Sequence, residues 1–171
     1  MTFSEQASSR RLQMPTGEVI DIVRSGRDNG GAAFEVEALL PPRLSGPPPH
    51  RHRREIETFE VLDGVLRVRV GNETRDLQTG ESVTVSPWTL HAFANPSDRP
   101  TRIRTVETPA GQLEDQFRVM ATAGRLLPLI RLARINVAHE LSFHIHGIPD
   151  PIQRVLWRAL ATLPSRHGKL S

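Results

Sequence analysis

Through the first two thirds of the chain, apolar and polar residues alternate in short runs separated by turn-forming residues. GEVIDIVRS and GAAFEVEALL flank a DNGG turn at Asp28 to Gly31. Downstream, EIETFEVLDG and VLRVRVGN meet at Asp63-Gly64, turn chemistry that predicts a hairpin. ETRDLQTG, ESVTVSP, LHAFAN and TRIRTVETP complete the series. Within VLRVRV, Leu66, Val68 and Val70 alternate with Arg67 and Arg69, so one face is buried and the other is wet. Many short strands at close spacing predict an all-β sandwich or barrel. Pro41, Pro42 and the triplet Pro47 to Pro49 stiffen the approach to His50.

After Pro109 the period changes from two to about 3.6. Leu113, Phe117, Met120 and Ala121 fall on one helical face, and Pro128 to Glu140 forms a second helical stretch. The third is the clearest. Asp150 is placed to cap it and Pro151 suits its first turn, while Ile152, Val155, Leu156, Ala159, Leu160 and Leu163 line one side. Arg154 and Arg158 lie opposite, with Trp157 beside them. The expected organisation is an N-terminal tail or docking strand over 1–15, a β-barrel over 16–109, and a helical extension over 110–171. These helices are too small for a core of their own, so they are expected to pack on the barrel or on a partner subunit.

Composition removes several alternatives. The chain has no cysteine, which excludes disulfides and thiolate metal sites. The first residues, MTFSEQASSRRLQMPTG, lack the apolar core of a secretory signal, and Arg131 and Arg134 interrupt the best candidate span. A cytoplasmic protein without a membrane role is expected. The sequence pI of about 10.8 is not a nucleic-acid signature. The formal charge is only +3, and with no tyrosine and the single lysine Lys169, little titrates between histidine and arginine. The arginines are scattered, and no helix-turn-helix segment is present to carry an output to DNA.

The chemistry concentrates in two blocks. In GPPPHRHRREIETFEVLDG, His50 and His52 sit two apart, so on a strand both imidazoles leave the same face. Glu55 and Glu57 follow with equal strand parity. GESVTVSPWTLHAFAN adds His91 on another strand. Three imidazoles and a carboxylate converging inside a barrel suit one divalent Fe, Mn, Ni, Co or Zn, with open positions for a ligand. Taken alone, His91 would be better read as a hydrogen-bonded core histidine. Phe59, Trp88 and Phe93 are candidates for the pocket mouth, beside the alternative of plain core packing. His139, His144 and His146 contain a second HxH but lack a carboxylate at matching spacing, so no second metal site is expected.

Together the blocks resemble the paired motifs of the cupin superfamily. The first motif, His50-x-His52, four residues, Glu57, six residues, Gly64, fits throughout. In the second, Gly80, His91 and Asn95 hold their spacings, while Ser86 and Trp88 stand where the family has proline and glycine. Loss of that glycine implies a different turn before His91. The resemblance spans roughly residues 18 to 108. It implies a mainly β, cupin-type jelly-roll barrel, here with a C-terminal α-helical extension. It also implies a homodimer and the ligand set His50, His52, Glu57 and His91, with Glu55 left at the rim or behind the ligands.

Cupins include dioxygenases, decarboxylases, isomerases, storage proteins and sensors, so the resemblance leaves the reaction open. The filled ligand set and the absence of tyrosine separate this chain from the epimerase branch, which works without metal through a phenol acid. The expectation is a metal-dependent, oxygenase-like enzyme acting on a small organic molecule such as a diketone or enol. A non-catalytic metal-binding or sensing cupin is the alternative.

Overall fold

Inward-pointing side chains on alternate strand positions build the core of this computed structural model, which describes residues 9–122 and 128–164. The strands are β1 (Arg11–Gln13), β2 (Val19–Arg24), β3 (Phe34–Leu40), β4 (His50–His52), β5 (Ile56–Asp63), β6 (Val65–Val70), β7 (Glu73–Gln78), β8 (Ser82–Val85), β9 (His91–Ala94), β10 (Thr101–Thr108) and β11 (Phe143–Ile145). They form two antiparallel sheets, β1-β2-β3-β10-β5-β8 and β11-β4-β9-β6-β7, in a jelly-roll arrangement. Val36, Ala38 and Leu40 of β3, Phe59 and Val61 of β5, Leu66 and Val68 of β6 and Ile103 of β10 meet between the sheets. Three helices follow: α1 (Leu113–Ala121), α2 (Leu129–Ala138) and α3 (Asp150–Thr162). Among the described residues no helix is long and apolar enough to cross a membrane.

Three expectations change. The Asp63-Gly64 turn does not make a hairpin, because β5 pairs with β10 and β8 while β6 pairs with β7 and β9. Gly64, at φ 92°, carries the chain from one sheet to the other. A Cβ there would lie 2.9 Å from the Thr101 hydroxyl, so the corner packs against the start of β10. Part of the expected tail is sheet, since Arg11–Gln13 pairs with β2 of its own chain. Residues 1–8 lie outside the described residues. The C-terminal extension is not helical throughout, because β11 adds to the edge of β4.

α1 packs as its pattern predicts, with Leu113, Phe117, Met120 and Ala121 against the core. Its first turn is tied down by Glu114, whose carboxylate accepts hydrogen bonds from the Ser25 hydroxyl (2.9 Å) and the Gly26 N–H (3.1 Å). α3 is different. Its buried contact is polar: the Gln153 amide donates to the Ile145 and Ile148 carbonyls (2.7 Å each) and accepts from the Ile145 N–H (2.9 Å). These bonds satisfy the backbone beside β11, which an apolar side chain could not do. The helix is therefore turned with its predicted apolar side outward, leaving Ile152, Val155, Leu156 and Leu163 exposed. Asp150 makes no cap hydrogen bond. Its carboxylate instead accepts from Arg51 on β4 at 2.8 Å.

Gly46, in the approach to β4, has φ 68°, and a Cβ there would lie 1.8 Å from the Phe93 carbonyl oxygen. That atom belongs to rigid backbone, so the clash cannot be relieved by a rotamer change. Gly80 also has positive φ, but a Cβ there meets open space. Gly46→Ala is expected to lower unfolding free energy by about 3 kcal/mol or more, and Gly80→Ala by about 1 kcal/mol. Urea denaturation of both variants checks the difference.

Candidate metal centre

The site grows from three strands. β4 is extended, so His50 and His52 both turn inward and are buried, while Arg51 between them points out. β9 runs beside β4 with His91 opposite His50. β5, in the facing sheet, presents Glu57 from the inner side of its alternation. One ligand atom from each of His50, His52, Glu57 and His91 lies within 4.8 Å of the others, and all four residues are buried. The imidazole centroids are 4.3 Å apart for His50 and His91, and 5.1 Å for His50 and His52.

Backbone carbonyls set the ring orientations. His50 Nδ1 lies 2.9 Å from the Pro48 oxygen, and His91 Nδ1 lies 2.9 Å from the Thr89 oxygen. Protons held on these outer nitrogens leave Nε2 as the inward donor atom, an arrangement that suits metal-binding histidines. Both ring nitrogens of His52 are buried without a hydrogen-bond partner among the described residues. Its Nε2 is 3.6 Å from Glu57 Oε2, and His91 Nε2 is 2.9 Å from the same oxygen. A buried cluster with an unpartnered imidazole and a carboxylate at its centre fits a divalent cation.

Electrostatics point the same way. Burial, reinforced by His91 and His52, pushes His50 down to about 3, so it is neutral and free to coordinate. Burial alone would raise Glu57, but the His52 and His91 rings outweigh it and hold the carboxyl below its usual range. Burial likewise works against a charge on His91, yet the bond to Glu57 raises it.

The other candidates separate. Phe59 and Phe93 stack at 5.5 Å and line the cavity above the cluster. Trp88 lies outside it, 45% exposed, with its ring 5.2 Å from His144 and the Arg51 guanidinium over its face. The expected change of turn before His91 takes an unexpected form. Trp88 itself adopts φ 64°, the conformation that favours glycine, while its N–H donates to the His52 carbonyl at 2.6 Å. Glu55 is not at a rim. It is buried beneath the ligand strand, accepting from the Ser142 hydroxyl at 2.5 Å and the Arg54 N–H at 3.1 Å.

Sequence reasoning missed Phe143 and Glu107. Phe143, on β11, packs at a tilt against His50, with ring centroids 4.9 Å apart, and against His52 at 5.8 Å. The HxH beside it was visible, but nothing local marks FHI as a strand. His144 lies on the same strand, 3.2 Å from Asp150, and joins no metal cluster among the described residues. Glu107 sits opposite Glu57 in the β5–β10 register and is fully buried.

Residues 36–107 match the cupin-domain family. The barrel is a cupin. Solved structures agree on the fold, at identities that speak to fold alone. KdgF from Halomonas sp. is 18% identical, covering 60% of this chain and 88% of that one with a TM-score of 0.52. An RmlC-like cupin from Shewanella frigidimarina NCIMB 400 is 16% identical, covering 64% and 89% at 0.52. A predicted oxalate decarboxylase from Thermotoga maritima is 17% identical, covering 58% and 90% at 0.52. No curated protein matches the chain. The ligand cluster of this cupin straddles its two sheets, so any group held there would clamp them together.

Burial, and then the nearby Glu57 charge, raises Glu107 well above the ordinary carboxyl range. Between the usual value of about 4.3 and that raised value, the native state keeps a proton that the unfolded chain has released, so stability falls as pH rises. Glu107→Gln removes this dependence. In metal-free protein, the melting temperature of the variant should gain on the parent as pH rises above about 5. Parallel melting curves would show that Glu107 titrates normally.

Proposed function

We propose that this cupin is a metal-dependent enzyme of the oxygenase type, cytoplasmic, acting on a small organic substrate. His50, His52, Glu57 and His91 would hold one divalent Fe, Mn, Ni, Co or Zn ion. The observation that carries the reading is the convergence of four buried ligand groups, three of which line an internal cavity. When bound, such an ion supplies Lewis acidity and, for iron or manganese, electron exchange with dioxygen. The chain does the rest. The Pro48 and Thr89 carbonyls hold two imidazoles in one tautomer, Phe143 packs against His50 and His52 on the cavity wall, and the apolar wall keeps water from the reacting end.

A binding or sensing role has one observation in its favour. Among the described residues, only Glu18 joins the ligand set as an ionisable group on the cavity wall, so few groups are free to move protons. Purified protein should contain about one divalent ion per chain, and His91→Ala should lose it. Oxygen consumption by iron-, manganese- or nickel-loaded protein over flavonols, diketones and hydroxy acids supports the enzyme. Tight ligand binding without oxygen uptake under every metal would favour the binding cupin.

The outward side of α3 supports a homodimer. Val155 is 67% exposed and Ile152 is 52% exposed, in one stripe with Leu156 and Leu163. A twofold axis through that stripe would set it against its own copy and remove it from water. Sedimentation should give a dimer for the parent chain and a folded monomer for Val155→Glu; a monomeric parent would rule this out.

A further inference from the structure

The cavity above the His–Glu cluster encloses about 430 Å³, within the range of small-molecule sites. Its wall comes from the inner faces of the barrel and from α1, α2 and α3, with Phe59, Phe93, Ile103, Phe117, Leu132 and Phe143 among the apolar contributors. The chain carries 22 lysines and arginines, yet none of the described ones lines this space. Its charged wall residues are both acids, Glu57 and Glu18.

The polar groups on the wall divide into committed and free. Asn136 is committed: its oxygen accepts from the Gln112 amide (3.2 Å) and the Phe143 N–H (3.0 Å), and its amide donates to the Phe143 carbonyl (3.0 Å). The Gln116 amide on α1 and the Thr105 hydroxyl on β10 are buried, line the cavity and make no side-chain hydrogen bond among the described residues. An amide both donates and accepts, so Gln116 can pair with a hydroxyl or a carbonyl.

We infer that the cavity takes an uncharged, largely apolar organic molecule, anchored at one end on the His–Glu cluster and hydrogen-bonded by Gln116 and Thr105. This deepens the metal-dependent reading above and rests on it for the anchored end only. A dicarboxylate, sugar acid or phosphate ester would bring charge into a low-dielectric space where no described lysine or arginine can pair with it. A divalent ion paired with the Glu57 carboxylate would leave one positive charge for the anchored end, and no cationic side chain remains among the described wall residues for a further anionic group. A ketone, phenol or enol carries its oxygen in without that cost.

The cavity holds its own reporter. Trp157 lines it, whereas Trp88 is outside, so Trp88→Phe leaves Trp157 as the fluorescent tryptophan. Metal-free and zinc-loaded protein would be titrated with ortho-hydroxyacetophenone and with salicylate, which match in size and differ in charge. Thermal shift of the parent chain serves as a second measurement. The neutral probe should bind at least about tenfold tighter in the metal-free protein. Gln116→Leu should weaken ortho-hydroxyacetophenone by about five- to tenfold and leave toluene unchanged or tighter. In the metal-free protein, salicylate binding as tightly as the neutral probe overturns the inference, as does the absence of any fluorescence or thermal response to neutral probes. If zinc does not bind but metal-free protein still prefers the neutral probe, the metal reading fails and the cavity assignment stands.

Discussion

A carboxylate taken out of water needs a partner, and the partners of Glu57 come from the opposite sheet. The bond from His91 to Glu57 at 2.9 Å joins β9 to β5 across the interior, with His52 at 3.6 Å on the same oxygen. Burial without these rings would leave an uncompensated charge costing several kcal/mol. The interaction therefore fixes the spacing of the two sheets at one end of the barrel. It also decides which residues can line the space above, because the strands that carry the ligands carry Phe59 and Phe93 two positions further along.

The site was legible because its chemistry is periodic. His50 and His52 share a face by strand parity, and the count from Glu57 to Gly64 singled out that carboxylate over Glu55. The barrel was legible for the same reason, through alternation such as Leu66, Arg67, Val68, Arg69. Asp63-Gly64 misled because a two-residue turn specifies a reversal of the chain but not which strand pairs with which. The chain reverses there, and the next strand joins the other sheet. Pairing is settled by the core, where residues of β5 and β6 meet from opposite sides.

α3 misled for a different reason. Its apolar stripe is real, and amphipathicity predicts that such a stripe is buried. Orientation was decided by three hydrogen bonds from Gln153, a residue with no place in a hydrophobic pattern. Polar groups on a strand edge cost more when left unsatisfied than a few apolar side chains cost when left wet. Trp88 is a related case. Its left-handed conformation costs about 1–2 kcal/mol, which stacking on His144 beneath the Arg51 guanidinium helps to offset.

β11 has a consequence in time as well as in space. It pairs with β4 from the far end of the chain, setting Phe143 opposite His52 in register and against the rings of both ligand histidines. Barrel strands β2 to β10 contact one another before this segment is made, but contacts between such distant segments form late, and domains emerging from the ribosome order from the N-terminus. Until the final third has been synthesised, His50 and His52 have no aromatic cover. The pocket's aromatic wall therefore rests on a pairing between segments far apart in the chain, so the C-terminal extension and the barrel complete the site together.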